Sequence, residues 1–268
     1  AAQIIRDEQV SIGFAVPTMF TGMLDALEKE AGEELTENPF PHWRRPLIGG
    51  APLPAVLAWR MEKLDLRPIQ VWGMTETGGA GCYLGINESL AHPEAAGRPF
   101  TYSQVAVRGQ DGKALPAGSQ GQVTIGGPHV CRTNYPGKAI SAIEGQIETG
   151  DIGFIGEDGL LRLSGRASDV IISGGEHVFP AQVEDALSTF PGIGQVAVIG
   201  LEDEYWGQRV CAVITGTATL KDIKAFLTGK LAAYKIPKQI IQVSALPLNS
   251  AGKLSRQTLR QLLAARGE

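Results

Sequence analysis

Cysteine is scarce, with only Cys82, Cys131 and Cys211 in 268 residues. Their number is odd, they lie far apart, and no CxxC or Cys/His spacing joins them, which excludes a disulfide framework and a structural zinc site. They read instead as small buried hydrophobes. Aromatic residues make up 6% of the chain, and neither sign of charge dominates, with 24 basic against 28 acidic side chains and a net charge of -4. Without a basic stripe interleaved with aromatics, no nucleic-acid partner is expected. No apolar run approaches the roughly 18 residues that cross a bilayer. The opening AAQIIRDEQV has neither the basic region nor the hydrophobic stretch of a signal peptide. The expectation is a soluble, cytoplasmic protein with no transmembrane segment. A composition of 43% hydrophobic and 19% charged residues excludes a disordered chain, and the length suits one large domain or two ordinary ones.

Glycine is what the chain has in excess: 34 residues, about 13% against a usual level of roughly 7%. The glycines gather at 49–50, 78–81, 126–127 and 174–175, each beside a short apolar run. Tight turns at strand ends are candidate sites.

VSIGFAV (10–16) reads as a buried strand, and Phe20, Met23, Leu24 and Leu27 follow at helical i, i+3, i+4, i+7 spacing. Two further short strands, PLIGG and PIQVWG, flank a helical segment around 55–64, which makes a βαβ pattern. From Ser103 the alternation in SQVAVRG and GQVTIGG is of β type and fits a small antiparallel sheet or barrel. Near residue 165 the character changes again. Residues 1–165 hold 13 basic and 19 acidic side chains, whereas 166–268 hold 11 and 9, so the net charge passes from -6 to +2. The last third alternates, with VIISGG, QVAVIGL, RVCAVIT and KQIIQVS as strands and PAQVEDALSTF, TLKDIKAFLTGKLA (219–232) and SRQTLRQLLAAR as helices, and Thr219 with Asp222 has capping-box spacing. The expected fold class is α/β with a small β-sheet or barrel region, followed by a separate small α+β domain. The parts are 1–100, 101–165 and 166–268.

Four segments have the residue types for chemistry. VWGMTETGG ends a strand in a turn that presents Thr75, Glu76 and Thr77 beside flexible backbone. Such a turn can hold phosphate through hydroxyls and N–H groups and magnesium through the carboxylate; a plain polar turn accounts for the same residues. In ETGDIGF, Asp151 sits between glycines, where its carboxylate can accept from ribose hydroxyls or simply serve a turn. GRASDVIISGGEHVFPAQVE carries Arg166 at the domain boundary and a glycine loop between a strand and a helix whose first turn takes Pro180. In PLNSAGKLSRQ, Lys253 follows Ala-Gly on a loop before the last helix and by itself reads as a surface lysine.

The order of VPT (16–18), GGAPLP, WGMTET, AGRP, GQVTIGG, TGD, GRxSDxIISGGExVxP and AGKLSR decides more than any one of them. In that order and at these spacings they resemble the acyl-adenylate-forming superfamily of acyl-CoA synthetases, peptide-synthetase adenylation domains and luciferases. The resemblance implies a partial adenylate-forming fold in which 1–165 is the C-terminal portion of the large domain and 166–268 a small mobile domain. It implies that Gly49, Gly50 and Ala51 line the adenine and acyl pocket. Trp72, followed by Gly73 and Met74, stands where the family usually has Tyr or Phe against the base. Thr75 would hold the phosphates, Glu76 the magnesium, and Asp151 with Arg166 the ribose. Lys253 would reach the α-phosphate and the attacking carboxylate, and Thr75, Glu76 and Lys253 form the catalytic set. Ser173, Gly174, Gly175 and Glu176 would border the CoA path, and Ser168 would be the hinge. The implied partners are a small-molecule carboxylic acid, ATP with Mg2+, and coenzyme A, and the family leaves room for a homodimer.

The sequence also departs from the family. A phosphate loop of TSGTTGxPKG type is absent from the chain, so the resemblance is to the C-terminal part of a longer synthetase, and the fragment alone is expected to be inactive. Ser168 replaces the usual Asp or Lys of the hinge, Gln122 replaces a Glu, and Ile147 and Glu148 stand where an aromatic-Arg pair is usual. The visible part of the acyl pocket is apolar or small at Phe14, Val16, Met19, Gly79 and Ala80. The spacing from WGMTET to AGRP and the segment SQVAVRGQDG resemble bacterial fatty-acyl-CoA ligases, and that resemblance implies a medium- or long-chain fatty acid. The ISGGE, DEYWGQ and YKIPK segments also look like o-succinylbenzoate-CoA ligases, and an inactive nucleotide-binding or interaction module is the reading from another class.

Overall fold

The computed structural model describes residues 1–133, 137, 139–140, 142–249 and 253–266. The chain divides into two compact units, Ala1–Leu163 and Ser164–Glu268.

The first unit begins with a short helix, α1 (Ala2–Asp7), that no apolar periodicity announces. Strand β1 (Ile12–Ala15), helix α2 (Pro17–Ala31), strand β2 (Arg45–Gly49), helix α3 (Ala55–Lys63) and strand β3 (Ile69–Trp72) follow. The three strands are parallel, as crossovers through a helix require. Phe20, Met23, Leu24 and Leu27 of α2 are all buried, in a core with Phe40, Trp43, Ile48, Leu57 and Met61. Phe20 stacks on Trp43 at 5.1 Å and Phe40 meets it edge-on at 5.6 Å. The expectation that 10–16 is a buried strand holds for only one face. Ala15 is buried, whereas Ile12 and Phe14 are exposed, because β1 ends the strand order and its alternate residues face away from that core.

The sheet continues antiparallel through β4 (Cys82–Leu84) and β5 (Ala95–Pro99). The remaining strands are β6 (Gln104–Arg108), β7 (Gly121–Gly126), β8 (Ala142–Ile143), β9 (Gln146–Ile155) and β10 (Leu161–Arg166). They join the same hydrogen-bonded path, in the order β1-β2-β3-β4-β5-β10-β9-β7-β6, with β8 on β9. One sheet thus carries both the parallel strands and the β-rich region. Arg108 is buried within it, donating to Thr124, Gln146 and Glu144 and to the Gly112 carbonyl.

The second unit is a five-stranded sheet with helices on both faces. β11 (Ile171–Ser173), β12 (Glu176–Val178), β13 (Ile193–Asp203) and β14 (Gly207–Gly216) run antiparallel, and β15 (Gln239–Gln242) adds parallel to β14. Successive residues of β14 point to opposite faces. Val210, Ala212 and Ile214 therefore meet Val183 and Leu187 of α4 (Pro180–Ser188) and Ile223 and Leu227 of α5 (Leu220–Leu227). Cys211 and Val213 meet Leu259 and Leu263 of α6 (Arg256–Ala265) on the other face. A strand covered on both sides reads as a continuous apolar run, here VCAVI at 210–214. Thr219 caps α5 by accepting from the Asp222 N–H, as its spacing predicts. The helix stops at Leu227, short of the expected Ala232, because Thr228 is extended and Gly229 takes φ +81.

Two of the three cysteines are buried as expected, and burial pushes the Cys82 thiol up to about 12. Cys131 is the exception: it is exposed, and its Sγ donates to the Thr133 carbonyl at 2.8 Å.

One ionic cluster ties the second unit together. Arg256, the first residue of α6, pairs with Glu184 of α4 and, at 3.8 Å, with Asp169. Glu184 also accepts the Val198 N–H of β13 at 2.7 Å. Burial raises the Glu184 carboxyl above its ordinary value, against the pull of Arg256 and the Val198 N–H. Arg256→Met removes the cation and leaves Glu184 beside Asp169, which should cost about 3 kcal/mol near neutrality. A carboxyl raised in the folded state binds its proton more tightly folded than unfolded, so stability falls as pH rises from the ordinary carboxylate range to the raised value. Denaturant melts across pH 4–8 should therefore show the variant's deficit shrinking toward the acid end.

Candidate active site

The carboxyl ends of parallel strands are where an open α/β sheet receives ligands, and here the ends of β2 and β3 stand side by side, with Gly49 opposite Val71. A Cβ on Gly49 would lie 2.3 Å from the Val71 carbonyl oxygen, so the backbones meet with no room for a side chain. Gly50 follows with φ +80, and Gly50 and Ala51 are exposed beyond the strand.

Past Trp72, the chain closes on itself. Gly73 packs against Gly79, where a Cβ would lie 2.3 Å from the Gly79 carbonyl oxygen. Thr75–Thr77 forms a single 3-10 turn. The two threonine hydroxyls presented by the sequence have different fates. Thr77 is buried, with its Oγ1 accepting from the Met74 N–H at 3.1 Å and donating to the Met74 carbonyl at 3.0 Å. Thr75 is exposed and Glu76 half-buried, which leaves this hydroxyl and this carboxylate as the turn's outward polar groups. The Glu76 carbonyl is held by the Cys131 N–H at 2.7 Å.

Asp151 is not in a turn, as its neighbouring glycines suggest, but inside β9, and it is buried. The register explains its placement. Gln122 pairs with Ile152 and Thr124 with Glu148, so residues 149–151 stand opposite Val123 alone. Such a bulge re-aims the side chains it carries. It turns at Gly150, with φ +76, and is fastened by Thr149, whose Oγ1 donates to the Val123 carbonyl at 2.9 Å and accepts from the Asp151 N–H at 3.1 Å. The Asp151 carboxylate accepts the Trp72 indole N–H, Nε1 to Oδ2, at 3.1 Å. Two segments 79 residues apart thereby meet.

Two contacts that support this cluster were not legible in the sequence, one of them made by a glycine of the 78–81 group. Gly81 lies against the Trp72 ring, where a Cβ would come within 2.7 Å of Cε3 and of the Trp72 carbonyl oxygen. His129 donates from Nε2 to the Ala80 carbonyl at 2.8 Å, with Ser103 Oγ 3.3 Å away. No periodicity or motif marks either contact, because both pair residues from different strands or loops.

The other expected residues belong to the second unit. Arg166 ends β10 and is exposed, and Ser168 lies in the 3-10 turn Ala167–Asp169. The glycine loop leads not into a helix, as expected, but into β12. Gly174 and Gly175, at φ +61 and +83, form the two-residue turn of the β11–β12 hairpin, the geometry that matches strand twist. Gly174 approaches the Trp206 ring, and its N–H donates to the Trp206 carbonyl at 2.9 Å. Ser173 is buried and its Oγ has no hydrogen-bond partner among the described residues, while Glu176 is exposed. Lys253 is exposed on a closed loop, its N–H donating to Asn249 Oδ1 at 3.0 Å and its carbonyl accepting the Asn249 N–H at 2.8 Å. The Ala-Gly that precedes it lies outside the described residues, as do parts of the 131–151 stretch.

Residues 1–135 match the family model described as AMP-binding enzyme, and 182–253 match that of the AMP-binding enzyme C-terminal domain. The chain belongs to the AMP-binding enzyme family. It is 34% identical over 267 residues to a 2-succinylbenzoate–CoA ligase of Bacillus cytotoxicus, covering 97% of this chain and 54% of that protein. To a long-chain-fatty-acid–CoA ligase of Mycobacterium tuberculosis it is 35% identical over 268 residues, covering 98% and 52%. Among solved structures, o-succinylbenzoate CoA synthetase of Bacillus subtilis with its acyl-adenylate intermediate superposes with a TM-score of 0.83 at 29% identity, over 96% of this chain and 52% of that one. ATP-bound MatB of Rhodopseudomonas palustris gives 0.85 at 29%, over 98% and 53%. The chain thus spans about half the length of the relatives it matches.

The two threonines should separate in a stability measurement. Thr77→Val keeps the volume but leaves the Met74 N–H without its acceptor, at a cost of about 1 kcal/mol. Thr75→Val, at an exposed position, should stay within roughly 0.5 kcal/mol. Denaturant melts of both variants test this.

Proposed function

We propose that the longer protein to which this chain corresponds is an AMP-forming acyl-CoA synthetase. In the first step a carboxylate oxygen bonds to the α-phosphorus of ATP and pyrophosphate leaves, giving acyl-AMP. In the second the CoA thiol loses its proton, sulfur bonds to the acyl carbon and AMP leaves. A carboxylate is a poor electrophile, and the adenylate supplies the leaving group it lacks. Residues 1–165 serve as the C-terminal portion of the large domain and 166–268 as the small mobile one.

The observation that carries this reading is the meeting of Trp72 and Asp151 beside Gly49 and Gly73, where the backbone leaves no room for a side chain. An aromatic ring, a buried carboxylate and an exposed hydroxyl and carboxylate at Thr75 and Glu76 suit base, ribose and phosphate in turn. Gly49, Gly50, Ala51, Gly73 and Met74 form the backbone around them. A single carboxylate suits Mg2+ arriving with ATP, since this ion binds through one or two carboxylates plus substrate phosphates. Glu76 would hold it, and when bound it neutralises phosphate charge.

In the second unit Arg166 would hold the ribose, and Lys253 would bring its charge to the α-phosphate and attacking carboxylate, where negative charge grows in the transition state. The backbone turn at Gly174–Gly175 admits a ligand close to the main chain. With the unpartnered hydroxyl of Ser173 beside it and Glu176 at its edge, this turn fits the passage of CoA. Ser168 would be the hinge that presents first Lys253 and then this turn.

The acid we favour is a medium- or long-chain fatty acid, on the likeness of the WGMTET-to-AGRP spacing and the SQVAVRGQDG segment to fatty-acyl-CoA ligases and on the similarity to a long-chain-fatty-acid–CoA ligase. Likeness to 2-succinylbenzoate–CoA ligases supports an aryl acid as the second reading.

The test uses the chain extended to its natural start, assayed for CoA-dependent AMP formation with Mg-ATP and either hexadecanoate or o-succinylbenzoate. Preference for hexadecanoate supports the first reading, preference for the other acid the second, and AMP with neither removes both. In the same protein Lys253→Ala should lower pyrophosphate release about 100-fold or more, while thioester formation from supplied acyl-AMP falls far less. Equal loss in both steps would argue against the role given to Lys253.

A further inference from the structure

We infer that Trp72 acts on nucleotide recognition through the N–H edge of its ring as well as through its face. It is a positioning residue that orients the Asp151 carboxylate for the ribose hydroxyls. The inference rests on the reading that Asp151 receives the ribose.

Both ends of the contact are anchored independently. On one side, the indole is fixed at the end of β3 by the Gly81 backbone against its ring and by the Gly81 N–H, which donates to the Trp72 carbonyl at 2.9 Å. Its ring also packs against the buried clusters around Cys82 and Ile125. On the other side, Asp151 projects from a bulge tied down by Thr149. The N–H to carboxylate bond at 3.1 Å spans these two rigid frames.

A bulge sets where the carboxylate stands, and the charge-assisted hydrogen bond from Trp72 to one of its oxygens helps set the plane in which a diol is met. Phenylalanine has no donor at that edge, so the coupling is a property of tryptophan at position 72.

The experiment measures binding of ATP and of its 2′-deoxy and 3′-deoxy analogues by titration calorimetry to the chain extended to its natural start, so the result does not depend on which acid is activated. Wild type should prefer ATP over the deoxy analogues by about tenfold or more. Trp72→Phe should weaken ATP about tenfold while leaving the deoxy analogues nearly unchanged, so that the preference collapses. In an Asp151→Ala background, Trp72→Phe should have little further effect. Replacement of Trp72 by its benzothienyl analogue, which keeps the ring shape and removes only the N–H, should reproduce the loss of preference even if the phenylalanine variant folds poorly. Equal weakening of all three nucleotides, or additive losses from Trp72→Phe and Asp151→Ala, would overturn the inference by leaving the ring a stacking surface only. A wild type with no preference for the hydroxyls would remove the ribose role of Asp151, and this inference with it. ATP preference retained in both Trp72 variants would remove the inference alone.

Discussion

Backbone crowding at the ends of β2 and β3 is the constraint on which the first unit's site depends. At Gly49 and Gly73 a single added carbon would stand 2.3 Å from a neighbouring carbonyl oxygen, and at Gly81 2.7 Å from another. Strands and turn approach to main-chain contact, and the surface they leave is lined by N–H and C=O groups rather than side chains. Few side chains then remain to carry recognition, and those that do must come from elsewhere in the sheet. Asp151 is the clearest case: it arrives from β9 on a bulge and is met by the indole at the end of β3.

The second unit is built on a different constraint. Its central hairpin, β13 with β14, is apolar on both faces, so helices must cover each, and the polar cluster of Arg256, Glu184 and Asp169 lies where α4 and α6 approach the sheet. The cation at the start of α6 is three residues beyond Lys253. Ion pairing there fixes the base of the loop that presents the lysine, and the Ser255 cap on the Thr258 N–H fixes it further. The residue proposed to do chemistry is exposed, and the ion-paired residues behind it are half-buried.

Much of this was legible in the sequence because it is local. The spacing of Phe20, Met23, Leu24 and Leu27 gave α2 its buried face, the segment RVCAVIT marked a strand, and Thr219 with Asp222 marked a helix start. Motif order carried the family. What escaped was set by distant partners. Asp151 looked like a turn residue because a bulge is defined by the strand opposite it, at Val123. Thr77 looked like a ligand group until the fold turned its hydroxyl onto Met74. β12 was hidden because three residues after a glycine pair show no period, and the exposed face of β1 follows from its place at the end of the sheet.

The unequal burial of the three thiols has a practical consequence. Cys82 and Cys211 are buried in the two units, the first with its thiol pushed up to about 12, and burial shields both from a reagent. Cys131 is open to solvent, and its own N–H holds the Glu76 carbonyl. The unmodified sequence therefore carries a single attachment point for a fluorophore or spin label, one hydrogen bond away from the turn proposed to hold phosphate. Events at that turn can be followed spectroscopically without engineering a cysteine into the chain.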